Sequence, residues 1–232
     1  MTTEAPHQTK ELLLRAAEQL FAERGYDAVS TREIADAAGV NLGAIQYHFG
    51  TKGQLFIETV RAIMIRTGSN FDDLEKRELP RTRFEAGVRL CEFVRAFLSQ
   101  LSDNSEPQGC RMMTREALSG HNNKDGMLDA LVTAVVEDFW RPLFDSFSKV
   151  VAILNPNASE FQLKLCTDSI ISQCVGYLVH RPFMERLLKV KLNDPQVIQT
   201  LENHISSFSL RALGADEQFV TSVLDAAKRS SR

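Results

Sequence analysis

Gln46, Tyr47 and Lys52 lie within seven residues of one another, with Gly43 one helical turn before Gln46. A glutamine amide can pair bidentately with an adenine edge, and a tyrosine joins an apolar ring to a hydroxyl that suits a phosphate. Glycine lets a backbone approach a partner closely. Lys52 falls at the start of an expected helix. There a cation opposes the helix dipole unless an anion sits between them, and phosphate is such an anion. The chemistry on offer is recognition of a nucleic acid, not bond breaking.

These side chains need short, well-capped helices to hold them. From Lys10 to Arg24, Leu13, Ala16, Ala17, Leu20 and Phe21 recur with helical spacing and form one apolar stripe that must be buried. Gly25 ends that helix, because glycine enters the left-handed position after a helix without steric cost. Ser30 with Glu33, and Thr51 with Gln54, both read as capping boxes. Between them Gly39-Val40-Asn41 is a tight turn in which Gly39 closes one helix and Asn41 can cap the next. Two helices joined by such a turn make a helix-turn-helix, whose second helix normally enters a major groove. In that helix Ile45 and Phe49 face inward with Ile34 and Val40, toward Leu20 and Phe21. Leu42, Gly43, Gln46 and Tyr47 form the opposite arc.

At these residues the chain resembles the TetR family of one-component transcriptional regulators. AAEQLFAERGYDAVSTREIADAAGV carries the resemblance, followed by Gly43 to Phe49 and by Thr51-Lys52, over roughly the first quarter of the chain. It implies that Thr31 and Arg32 start the supporting helix against the DNA backbone. It also implies that Leu42, Gly43, Ala44, Gln46 and Tyr47 face bases or sugar-phosphate, and that His48 and Lys52 grip phosphates. Gln46 stands where the family often has tyrosine, so the base preference of a relative does not transfer. CRMMTREALSG and QCVGYLVHRPFMERLL are similar to the C-terminal region of one TetR-like subgroup.

Charge alone does not point to DNA. Residues 1 to 52 carry five basic and seven acidic side chains, so the inference rests on the placement of Arg32 and Lys52 at helix starts. Few phosphate contacts per subunit mean weak binding by one copy, which makes a homodimer a mechanistic need. The 232 residues are 44% hydrophobic with a net charge of −3, as expected of a soluble globular protein with one small and one larger domain, and helical periodicity without strand alternation makes the expected fold all-α. No apolar run reaches a membrane span, and the opening MTTEAPHQTK lacks the pattern of a secretion signal, so the cytoplasm is the expected location. Cys91, Cys110, Cys166 and Cys174 form no C-x-x-C pair, which fits buried thiols rather than a zinc site. No metal or cofactor is expected.

The expected division is a DNA-binding domain over 1–54 and a helical domain for ligand binding and dimerisation over 55–232. Leu55 to Met64 continues as a linking helix, with Thr67 to Asn70 as its end. Further helices are expected over 84–101, 110–118, 127–154, 160–180 and 194–213, with a last one over 216–228. Polar breaks at 102–109 and 119–124, and the turn at Asn155-Pro156-Asn157, separate them, and Pro142 marks a kink or join. Asp194-Pro195 opens one helix and Gly214 closes it. Ile170, Ile171, Cys174, Val175, Leu178 and Val179 share one late helix. Val197, Ile198, Leu201, Ile205 and Phe208 share the other. Together they exceed what a lone hairpin can hide, and the family resemblance implies a four-helix bundle formed with a second subunit.

The middle segment holds Phe93, Phe97, Met112, Met113, Phe139, Trp140, Phe144 and Phe147, side chains suited to lining a cavity for a small-molecule effector. Arg111, Arg115, His121, Tyr177 and His180 are the polar groups that can orient one. The expected function is a repressor released from a palindromic operator when an effector favours the other state of the dimer. An enzyme is not expected, because the chain has no G-x-S-x-G, no H-E-x-x-H and no phosphate-cradling glycine loop. The remaining alternative is a redox or metal sensor acting through the cysteines.

Overall fold

The computed structural model describes residues 4–102, 112–113, 115–116 and 126–230, and these contain helices and turns but no strand. The helices are α1 (Glu4–Arg24), α2 (Thr31–Ala38), α3 (Gly43–Phe49), α4 (Lys52–Lys76) and α5 (Arg83–Leu98), the last followed by a 3-10 turn at Ser99–Leu101. Then come α6 (Met127–Val135), a π turn at Val136–Trp140, α7 (Arg141–Leu154), α8 (Glu160–Val179), α9 (Arg181–Leu188), α10 (Pro195–Ala212) and α11 (Glu217–Arg229). Packing divides the chain into two units, residues 1–68 with 108–140, and residues 69–107 with 141–232. The division at residue 54 was drawn on function, and the packing units follow different boundaries.

In the first unit Leu13, Ala17 and Phe21 of α1 meet Ile34 and Ala35 of α2, Ile45 and Phe49 of α3, and Leu55 and Phe56 of α4. The same core takes in Met112, Leu131 and Val135. Phe21 meets Phe56 edge-on at 5.0 Å between ring centroids, and Tyr26 meets Phe56 at 5.3 Å.

In the second unit α5 packs against α7, α8, α10 and α11. Phe71, Phe93, Phe97 and Phe147 stack through its middle, with centroids 4.5 Å apart for Phe71–Phe97 and 4.4 Å for Phe93–Phe147. Gly87 lets α5 approach α11 closely, for a Cβ there would lie 2.9 Å from a Val223 methyl. Arg83 donates to the carbonyls of Leu154 (3.3 Å) and Gly214 (2.9 Å), and its guanidinium lies 5.0 Å from the Phe219 ring centroid.

Several expectations need correction. The helix expected to end at Thr67 to Asn70 continues to Lys76, because one glycine costs only about 1 kcal/mol in a helix and Phe71 and Leu74 are buried beyond it. The expected join at Pro142 is a π turn just upstream: proline has no N–H to offer the carbonyl four residues back. Helix α9 is an element beyond those expected, although Pro182 in its first turn is a start signal. The helix expected over 110–118 and the breaks at 102–109 and 119–124 fall largely outside the described residues, as do Cys110, Arg111 and His121.

Candidate nucleic-acid interface

The supporting helix α2 is fixed at its start by a complete capping box. Ser30 N–H donates to Glu33 Oε2 at 2.8 Å, and Glu33 N–H returns to Ser30 Oγ at 3.2 Å. Arg24 adds a 2.8 Å ion pair to Glu33, and the Ser30 backbone N–H, the Ser30 hydroxyl and Arg24 together hold the carboxyl down at about 2. Gly39 takes a left-handed conformation (φ 66°), and Asn41 Oδ1 accepts the Gly43 N–H at 2.8 Å. The second expected capping box is only half present. Gln54 N–H donates to Thr51 Oγ1 at 3.0 Å, but the Thr51 N–H goes to the Phe49 carbonyl at 2.8 Å. The cause is local: with Gly50 at positive φ, the tight link between α3 and α4 supplies its own acceptor.

Helix α3 divides as its spacing requires. Ile45 and Phe49 are buried, whereas Gly43, Gln46, Leu42 and Tyr47 are exposed, Tyr47 to 79% of its surface. A tyrosine so far from the core contributes little packing to its own fold. His48 is half-buried, its ring 4.8 Å from that of Tyr47, and Ala44 is half-buried as well. On α2, Arg32 is exposed and Thr31 half-buried. The structure therefore gathers Leu42, Gly43, Gln46 and Tyr47 on one outward arc.

Lys52 stands at the start of α4, as expected, with a companion the sequence reading missed: its Nζ lies 4.2 Å from the centroid of the Tyr26 ring. Burial lowers the pKa of the ammonium. The signal for Tyr26 was its place just after Gly25, where an aromatic ring can cover the end of α1. Arg115, expected to orient an effector, instead donates to the Ala22 carbonyl near the end of α1 (3.4 Å), and next to it Glu116 accepts the Tyr26 N–H (3.1 Å).

Residues 13–59 match the family model described as bacterial regulatory proteins, tetR family. Residues 86–213, more than half of the chain, match the C-terminal domain of the HTH-type transcriptional dual regulator CecR. The chain belongs to the TetR family. The chain is similar to the transcriptional repressor AcnR of Corynebacterium efficiens, 37% identical over 60 residues, which are 26% of this chain and 32% of that one. The matched stretch thus spans about a third of that relative's length. The TetR fold extends across the chain. A TetR-like transcriptional regulator from Rhodococcus superposes with a TM-score of 0.58 at 12% identity, covering 90% of this chain and 97% of that one. The transcriptional regulator FadR from Bacillus subtilis, solved in complex with stearoyl-CoA, gives 0.56 at 15% identity over 86% and 96%.

Within this TetR-family chain the residues expected to line an effector cavity fall in both packing units. Met112 is buried in the core of the first unit, with Met113, Phe139 and Trp140 packed against it. Phe93 and Phe97 are buried in the second unit, where they close on Phe71 and Phe147. Phe144 and Tyr177 are half-buried there. A 470 Å³ hollow lies beside α9, lined by Pro182, Glu185, Arg186, Lys189, Val190 and Lys191.

The residues expected at a subunit interface divide similarly. Ile171, Leu178, Leu201 and Ile205 are buried within the chain's own second unit, Val175 and Val197 are half-buried, and Phe208 is exposed. Periodicity marks an apolar face correctly but does not say which neighbour covers it. The large apolar side chains left outward on α8, α9 and α10 are Phe161, Leu165, Phe183, Leu187, Leu188 and Phe208.

The buried thiols Cys91 and Cys174 give no support to a redox or metal sensor. Burial pushes Cys91 up to about 11 and Cys174 to about 12, so neither offers a thiolate near neutral pH. Among the described residues no three His, Cys, Asp or Glu side chains gather as a metal site, and no helix is long and apolar enough to cross a membrane.

Proposed function

We propose that this chain is a ligand-responsive transcriptional repressor that binds a palindromic operator as a homodimer. The observation that carries the reading is the outward arc of α3. Gly43, Gln46 and Tyr47 are presented to solvent by a helix whose other side, Ile45 and Phe49, is locked into the core. Gln46 reads a base edge in the major groove, while Tyr47 and Leu42 contact sugar, phosphate or a thymine methyl. Thr31, Arg32, Ala44, His48 and Lys52 flank that arc and meet the backbone. Such a regulator works where the DNA is, in the cytoplasm.

Dimerisation places two copies of α3 in successive major grooves, about 34 Å apart or a multiple of one turn. Phe208 on α10 anchors the subunit contact, and Val175 and Val197 contribute to it, because these three retain exposed surface. A small molecule held by the larger domain shifts the dimer toward a spacing that no longer fits the operator. Titration of DNA from upstream of the protein's own coding sequence tests the reading. Binding that weakens steeply with salt and is lost on substitution of Gln46 and Tyr47 supports it, and salt-insensitive binding refutes it.

A further inference from the structure

A cluster in the first unit belongs neither to the outward arc nor to an effector cavity. Helix α1 ends at Gly25, whose φ of +83° turns the chain so that the Tyr26 ring lies under the Lys52 ammonium at 4.2 Å. Residues ninety positions further along close over that turn. The Arg115 guanidinium donates to the Ala22 carbonyl, and its side chain lies within van der Waals contact of the position a Cβ on Gly25 would take. The Glu116 side chain is only 7% exposed and accepts the Tyr26 N–H at 3.1 Å. Met112, on the same short segment, is buried in the head's core.

A buried carboxylate is costly unless its oxygens are satisfied, so Glu116 has a defined task at this place. We propose that Glu116 is a positioning residue for DNA binding: by holding the Tyr26 backbone it fixes the aromatic platform that aims Lys52 at a DNA phosphate. The inference rests on the reading of Lys52 as a phosphate contact and adds the element that sets its direction. An ammonium on a four-carbon stem has many rotamers. A cation–π platform removes most of them before DNA arrives, at the least ordering cost on binding. Burial and the neighbouring Asp27, Glu116 and Glu33 carboxylates act on the ammonium in opposite directions. The clamp also ties Arg115 and Glu116 to the turn after α1, so any displacement of these two residues is felt at Lys52.

Simple electrostatics and positioning predict opposite signs for one substitution. If Glu116 acts only as a negative charge near DNA, then Glu116→Ala and Glu116→Gln both tighten operator binding. If it positions Lys52, Glu116→Ala weakens binding by about threefold or more, and Glu116→Gln, which keeps an oxygen acceptor for the Tyr26 N–H, restores it. Full-length proteins are titrated with operator duplex over a range of salt, with thermal melts recorded alongside. Lys52→Ala is expected to lower the salt slope by about one per subunit, and adding Glu116→Ala to it should cause no further loss. Should Glu116→Ala fail to fold, Glu116→Asp retains the charge while withdrawing the acceptor by one methylene, and it is expected to weaken binding likewise. Tightening or no change in Glu116→Ala, or an equal loss on the Lys52→Ala background, overturns the proposal. An unaltered salt slope in Lys52→Ala overturns the phosphate contact itself, a distinguishable result that takes the positioning role with it.

Discussion

At the scale of single residues, exposure separates what is needed to fold from what is needed to bind. Tyr47→Ala removes a ring that is 79% exposed and is expected to leave stability within about 0.5 kcal/mol, which a thermal melt can check, while operator affinity falls. Gln46→Ala should relax preference at one base pair by about 1–3 kcal/mol, measured by comparing operators substituted at each position. Glu33 shows the converse, a side chain at the α2 cap whose work is structural. Its folded pKa of about 2 lies below the ordinary 4.5, so its contribution is fully present above 4.5 and disappears as pH falls through 2. Melts of the native protein and of Glu33→Gln should therefore converge across that window, and a constant gap would show that the cap carries no linked proton.

Helix elements fix which of these residues can act together. At Gly87 α5 and α11 lie close together, and Val223 is branched at Cβ and cannot swing away. Gly87→Ala should cost about 1–3 kcal/mol through overpacking, and the double variant with Val223→Ala should be more stable than Gly87→Ala alone. Much of this level was legible in the sequence. The stripe of α1, the Ser30–Glu33 box, the glycine at the end of α1 and the Asp194-Pro195 start all follow from local chemistry that tertiary context has no reason to override. What was not legible depended on distant partners. The end of α4 is set by Phe71 and Leu74 finding a core beyond a run of poor helix formers, and Arg115 finds the Ala22 carbonyl at the end of α1. Spacing along a chain records which face is apolar or charged, and carries nothing about what approaches that face from ninety residues away.

For the whole molecule the question is which apolar residues serve the chain's own core and which serve a second copy. Ile205 is 1% exposed and Phe208, less than one helical turn on, is 56% exposed. Ile205→Ala is expected to lower stability by about 2–5 kcal/mol while sedimentation still reports a dimer. Phe208→Glu should leave the melting temperature of the monomer little changed and shift the sedimentation toward a single chain. A dimer that survives Phe208→Glu would move the contact elsewhere on the surface.

Arg83 bears on how the larger unit comes apart. One guanidinium reaches the last residue of α7, the residues that follow α10, and an aromatic ring of α11. Helix termini usually fray one at a time, each opening at its own low free energy. Here a single fork of donors joins three of them, so opening any one strands groups on the others. Amide hydrogens near Leu154, Gly214 and Phe219 should consequently exchange with deuterium at a common rate. A lysine at position 83, with its compact ammonium in place of a planar fork, should separate them into independent rates.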